Sequence, residues 1–498
     1  VIYGKKEWRC LNRWNHIPPF PRGGGARGGK LMLKKLLNYS ITLYIFLLPW
    51  QVRFLFSEYS MQTPYYGGLS VYITDLLFLL VVGIWLFWFF KNRRLLQQKL
   101  KMKTKQQAIV LGLFLLFILY AFISAFWFPL DSFELALIKW LRLLQASVFV
   151  LIIATAPIKV RMIFIAFIAS GLLQSLWGIQ QFFLQEIPAN TVLGVSAQNP
   201  ADLGVSVIEY ADQRWLRAYG GLPHPNILGA FLTLCALATS AWIFSVYKQV
   251  ENLKNRWDSL TIKEVQPIRI QLIASLMAFC FIIIGLLFTF SRTAWLGFAI
   301  GWGILFFSLI YLAKTKYAKK LMILSGLKQV IAGILILFAL TYLIGPLWTS
   351  RANDMSRLGQ KSFSERAVLI DQANQIVDQA PLRGSGIGSY TIKLQELNLG
   401  TDIFAHQPVH NLWLLLWAEL GWVGLMSFFG FIAFVYFAGV TIIKKKVDSL
   451  NGLMSISALL SIGVMVYFEH FWWTLLFGNL ILALWLGIFL HMQLFERK

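Results

Sequence analysis

Cysteine is nearly absent from this chain: Cys10, Cys235 and Cys280 are all it has in 498 residues. Three scattered cysteines exclude a disulfide framework and a thiolate zinc site. Cys235 and Cys280 fall inside apolar runs and read as small core residues. Charge is scarce as well, at 13% of residues, where soluble domains hold about a quarter. Residues 1–30 lack the apolar core of a secretory signal peptide.

Apolar and aromatic residues fill the space. The chain is 58% hydrophobic, with 41 Phe, 20 Trp and a mean hydropathy of +0.64. Its long unbroken apolar runs read as helical spans, since barrel strands would alternate. The expected fold is an all-α polytopic membrane protein. Runs of about 17 to 25 residues give about twelve candidate spans, near 37–56, 69–90, 107–127, 135–156, 162–183, 226–247, 271–290, 294–312, 329–349, 412–441, 453–468 and 473–492.

The formal charge of +23 is not a nucleic-acid signal. Lys and Arg collect in alternate short connections, from Lys91 to Lys105, at Lys159 and Arg161, from Lys248 to Arg269, from Lys314 to Lys328, and at Lys444 to Lys446. The opposite connections 57–68, 128–134 and 469–472 hold none. By the positive-inside rule both termini are cytoplasmic, and the segments 184–225 and 350–411 lie outside. The layout is then a leader at 1–31, nine spans over 32–349, an outer loop at 350–411 and three spans over 412–498. The leader is basic and rich in Gly and Pro, and Met32-Leu33-Lys34-Lys35 after it has the form of a translational start. It reads as disordered or as translated upstream sequence.

Within the outer loop, Ser362-Phe363-Ser364-Glu365 has the form of a capping box. It predicts a helix with Ala367, Ile370, Ala373, Asn374 and Val377 on one face, stopped by Pro381. Gly384-Ser385-Gly386-Ile387-Gly388 reads as a flexible turn, with a phosphate cradle as its sharper alternative.

Three polar elements fall on the outer side: the stretch from Arg217 to Asn226, the tight connection holding Arg292, and His410-Asn411 with Glu419 and Gly421 downstream. Arg292 fits either an interfacial Arg reaching lipid phosphate or a bidentate grip on a phosphorylated ligand. His410 is a general-base candidate, with His406 as runner-up and His224 as a positioning residue between two prolines. Asp75, Arg142 and Glu419 lie at a common depth inside their spans. They imply either one wet cavity, with Lys139 and Arg53 at its rim, or a structural ion-pair network.

Taken together, these residues resemble the O-antigen ligase family over most of the chain from Met32. The resemblance rests on Arg217 followed at the fourth position by Gly221, Arg292 followed likewise by Leu296, and His410 followed at the eleventh by Gly421. His224-Pro225-Asn226 and the run Pro381 to Gly388 add to it. It implies a metal-independent, cofactor-free glycosyltransferase acting on undecaprenyl-diphosphate-linked glycans, with a lipid, glycan or protein acceptor and an inverting attack. It also implies His410 as base and Arg217 and Arg292 as diphosphate ligands. His406, Asn411, Glu419, Arg142, Asp75 and His224 are further candidates for substrate binding. No Asp-x-Asp motif stands in the outer segments, and Asp202, Glu209 and Asp212 are too loosely spaced to act as one. A polymerase extending lipid-linked repeats shares the same motifs. A transporter would be expected to carry its polar sites near the midplane.

Overall fold

The computed structural model describes residues 25–56, 70–94, 105–127, 133–253, 261–352, 357–397, 407–444 and 450–495. Helices dominate, because an apolar chain must satisfy its backbone polar groups internally. α1 covers Gly25–Phe46 and α2 Ile73–Lys91, with the antiparallel strands β1 (Arg53–Leu55) and β2 (Ser70–Tyr72) between them. α3 (Lys105–Ser124), α4 (Phe133–Thr155) and α5 (Val160–Leu184) follow. A second hairpin, β3 (Val207–Tyr210) and β4 (Gln213–Leu216), leads to α6 (Pro225–Leu253), α7 (Ile262–Phe288), α8 (Arg292–Leu312) and α9 (Lys316–Ala352). The polar segment contributes α10 (Arg357–Gln379) and α11 (Tyr390–Glu396). Last come α12 (Leu412–Lys444), α13 (Leu450–Met465), the single turn α14 (Phe471–Thr474) and α15 (Leu476–Phe495).

Among the described residues, eight helices are long and apolar enough to cross a membrane: α2, α4 to α9, and α12. Shorter apolar helices, Leu111–Trp127, Leu450–Met465 and Leu476–Met492, stand where other spans were expected. α1 matches the first expected span but carries Lys30, Lys34 and Lys35 in its first half. The step from eight spans to about twelve rests on these shorter or more basic helices. α1 begins at Gly25, so residues 25–31 of the expected leader are helical, and the rest of it lies outside the described residues.

α6 is the central helix, packed against α5, α7, α8, α9 and α13. Leu228, Leu232, Leu234, Cys235 and Leu237 on it are fully buried. Small residues allow the close approach, as is usual between membrane helices. A Cβ on Gly229 would lie 2.9 Å from that of Ala294, and one on Gly301 would lie 2.8 Å from Leu237. Thr233 Oγ1 donates to Ala294 O at 2.8 Å. The N-terminal ends of α6 and α8 are thereby locked side by side.

In the polar segment the helix starts at Arg357, so Ser362 to Glu365 lie within it and do not cap its start. Its buried face is Leu369, Ala373, Ile376 and Val377, while Ile370 points outward. The helix ends at Gln379, ahead of Pro381. The Gly384–Gly388 turn is held, not loose. α12 breaks at Gly421, whose φ of 62° lies in the left-handed region. The break frees two carbonyls: Ala418 O accepts from Ser385 N at 2.9 Å and Glu419 O from Gly386 N at 2.8 Å.

Candidate active site

The turn after Arg217 is built by α5. Gln181 Oε1 accepts from Tyr219 N and Gly220 N, its Nε2 donates to Gly220 O, and Gln174 Oε1 accepts from Gly221 N at 2.6 Å. Two buried amides thus satisfy a buried turn that helix and sheet cannot. Gly220 is in the left-handed region at φ 58° and its partner Gly221 faces Trp177, where a Cβ would come within 2.9 Å of the indole. The pinned turn fixes Arg217, which is 6% exposed. Its Nε donates to Thr289 O and its Nη2 to Asn226 Oδ1, both at 2.7 Å.

Thr289 belongs to the tight connection between α7 and α8. Phe290 there adopts φ 47°, a strain on the order of 1–2 kcal/mol for a bulky residue. Packing imposes it: the ring is fully buried, 4.9 Å from the centroid of Trp348. The strained turn presents two successive carbonyls to two arginines, Thr289 O to Arg217 and Phe290 O to Arg351 Nε at 3.1 Å. Arg292 follows at the start of α8 and is exposed. Burial, then Arg351, hold the Arg217 guanidinium below its ordinary pKa. Tyr219 and Glu469 act the other way, and Arg292 adds to the lowering. Three guanidiniums around one turn make a site that attracts a multiply charged anion.

His410 precedes α12 by two residues. Leu412 N donates to Val466 O at 2.9 Å, which docks this entry on the end of α13. The His410 side chain is 26% exposed, with its Nδ1 buried 3.8 Å from Glu469 Oε2 and without a hydrogen-bond partner. Glu469 Oε1 accepts from Asn226 Nδ2 at 2.7 Å. His470 packs edge-on to His410 with centroids 4.9 Å apart. His224 accepts from Asn226 N through Nδ1 and meets Ser206 Oγ through Nε2 at 2.8 Å, so it braces the loop as a neutral ring. Burial above all, then the nearby cations and His410, keep His224 and His470 well below the ordinary His pKa.

The remaining candidates have partners of their own. Asp75 and Arg142 form an ion pair at 2.7 Å, closed by Gln145 and by Ser70 O, and Asp75 also accepts from Tyr72 N. Both therefore have partners within the chain, and Arg53 lies exposed on β1. Glu419 Oε2 accepts from Trp473 Nε1 at 2.7 Å and Gly388 N at 2.9 Å, and the Lys139 ammonium acts on it as a counter-charge. The Gly-rich turn therefore cradles the chain's own carboxylate, not a phosphate. Lys139 in turn donates to Trp473 O. Asn411 Oδ1 accepts from Leu414 N at 3.1 Å, capping α12. His406 lies outside the described residues. A shallow cavity of about 500 Å³ opens elsewhere, beside Trp215 and Arg214 on the second hairpin.

Glu469, His470 and Arg351 were not singled out from the sequence. Glu469-His470 was visible as a titratable pair in a four-residue connection without Lys or Arg. Arg351 was hidden among the six basic residues of the polar segment.

The architecture is that of a multi-pass helical membrane protein, with three arginines gathered around one turn and a histidine joined to them through Asn226 and Glu469. Residues 276–429 match the O-antigen ligase family model. The matched stretch holds Arg292, His410 and Gly421. Arg217 and Glu469 lie outside it and join it through the contacts above. No curated protein matches the chain.

Proposed function

We propose that the protein transfers a glycan from an undecaprenyl-diphosphate carrier to an acceptor hydroxyl on the outer face of the bacterial cytoplasmic membrane. Arg217 and Arg292 hold the diphosphate and offset the charge that develops as it leaves. His410 takes the proton of the acceptor hydroxyl as that oxygen attacks the anomeric carbon. The bond from the anomeric carbon to the diphosphate oxygen breaks as the new glycosidic bond forms, with inversion. The guanidiniums supply the positive charge at the leaving group, and the reaction needs no metal ion. The Lys and Arg distribution supports placing both termini in the cytoplasm.

One observation carries this reading: Asn226 joins the Arg217 guanidinium to Glu469, whose other oxygen faces His410. An anion grip and a base candidate from distant parts of the chain are thereby neighbours. A hydroxyl of a lipid, glycan or protein serves as acceptor. The same chemistry with a lipid-linked repeat as acceptor is polymerisation.

The test is to incubate purified protein with a defined undecaprenyl-diphosphate glycan and candidate acceptors in the presence of a chelator. Glycosylated acceptor of inverted anomeric configuration is expected. Transfer that requires added divalent metal, or a product of retained configuration, overturns the mechanism.

A further inference from the structure

Glu469 belongs to none of the three spaced motifs, yet all three meet at its carboxylate. It sits between α13 and α14 and is 4% exposed. A carboxylate that deep needs hydrogen-bond donors. Oε1 accepts from Asn226 Nδ2 at 2.7 Å, and Thr293 Oγ1 is 3.5 Å away. Asn226 holds Arg217 through its other side-chain atom, and Thr293 is the neighbour of Arg292. Oε2 is left facing His410 Nδ1 at 3.8 Å. That nitrogen is buried and has no other partner.

We propose that Glu469 is the positioning residue for His410. It selects the tautomer with the proton on Nδ1, and so leaves Nε2 as the atom that accepts the acceptor's proton. This rests on His410 being the base. The carboxylate oxygen supplies an acceptor to Nδ1–H and none to a bare ring nitrogen, so the pair is favourable in one tautomer alone. Separation by 3.8 Å suits an empty site, where such contacts are long and tighten once substrate is bound. In the reaction the acceptor's O–H proton moves to Nε2, Nδ1–H stays directed at Glu469, and the carboxylate stabilises the imidazolium. The proton then leaves to water and restores the neutral ring. The rings of His224 and His470 interact electrostatically with His410, and Glu469 is the anion that faces it.

Glu469→Gln keeps the shape and an oxygen for Asn226 but removes the charge. It should lower kcat by ~100-fold or more while the donor KM changes by less than about 3-fold (a bound set by the shared grip on donor in both states). Glu469→Asp should recover part of kcat. Asn226→Ala, which loosens Arg217 instead, should act mainly on the donor KM. A loss in Glu469→Gln confined to KM, or one that Asp does not relieve, overturns the positioning role. Wild-type kcat in Glu469→Gln with an inactive His410→Ala also overturns it and leaves the base assignment standing. An active His410→Ala removes the base itself. Selective ¹⁵N-histidine NMR of the intact protein gives an answer without any variant of Glu469. The His410 resonances, assigned by their absence in His410→Ala, should report protonated Nδ1, and a protonated Nε2 with bare Nδ1 overturns the proposal.

Discussion

Gly384 and Gly421 meet backbone to backbone, so closely that a Cβ on Gly384 would lie 2.4 Å from Gly421 N. A Cβ on Gly421 would lie 2.3 Å from Leu382 O, and its φ of 62° is strained for any other residue. The contact welds the end of the polar segment to the break in α12. Through Gly388, Glu419 and Trp473 it also braces the connection that carries Glu469 and His470.

Gly421→Ala should therefore destabilise the protein by at least about 2 kcal/mol, since strain and overlap coincide. The loss should reach activity through the loop. Limited proteolysis near residues 381–390 measures it, with faster cleavage expected in the variant. Unchanged cleavage with unchanged activity would show that the weld is dispensable.

His410→Ala should abolish transfer while the lipid-linked donor accumulates in cells. The membrane level of the variant, measured by immunoblot, should match the wild type, because the ring is partly exposed and its Nδ1 has no hydrogen-bond partner to lose. Normal transfer at normal level would take His410 out of the mechanism and return attention to His406 and His470.

The arginines separate by geometry. A planar guanidinium reads a diphosphate with two parallel N–H groups, and a lysine cannot. Arg292→Lys should be nearly as damaging as Arg292→Ala. Arg351→Ala should raise the donor KM about 10-fold, roughly 1.4 kcal/mol, by removing one of the three guanidiniums at the 289–292 turn. Donor titrations of initial rates give both numbers. An innocuous Arg292→Lys would reduce the grip to simple charge.

Much of this was legible in the sequence, for definite physical reasons. Long apolar runs have one stable solution, so helices stand at all the positions where spans were expected. The pairing of Arg217 with the 289–292 turn was not legible, because it depends on where Gly229 lets α6 touch α8. Glu469 escaped because its partners lie far away in sequence and its meaning is in the distance to His410. The capping box misled because Ser362 and Glu365 carry the right chemistry inside a helix that had already begun at Arg357. Asp75, Arg142 and Glu419 were read as costly charges inside their spans. Their partners at Gln145, Ser70 O, Gly388 and Trp473 could be found only in the structure.

Acid should loosen the site through its two buried histidines. His224 and His470 are held neutral, with pKa values well below the ordinary 6.5, burial being the first cause of each. Above pH 6.5 the folded and unfolded chains both carry these rings neutral, and proton uptake contributes nothing to stability. As pH falls below 6.5 the unfolded chain binds protons that the folded one refuses, so stability falls by up to about 1.4 kcal/mol per pH unit for each ring. The melting temperature in detergent should drop steadily from about pH 6.5 downward. His224→Gln removes one of the two rings, so it should melt lower at neutral pH, where the brace between Ser206 and Asn226 is weakened, yet lose less on acidification. An acid slope as steep as that of the wild type would mean that His224 is not held neutral by the fold.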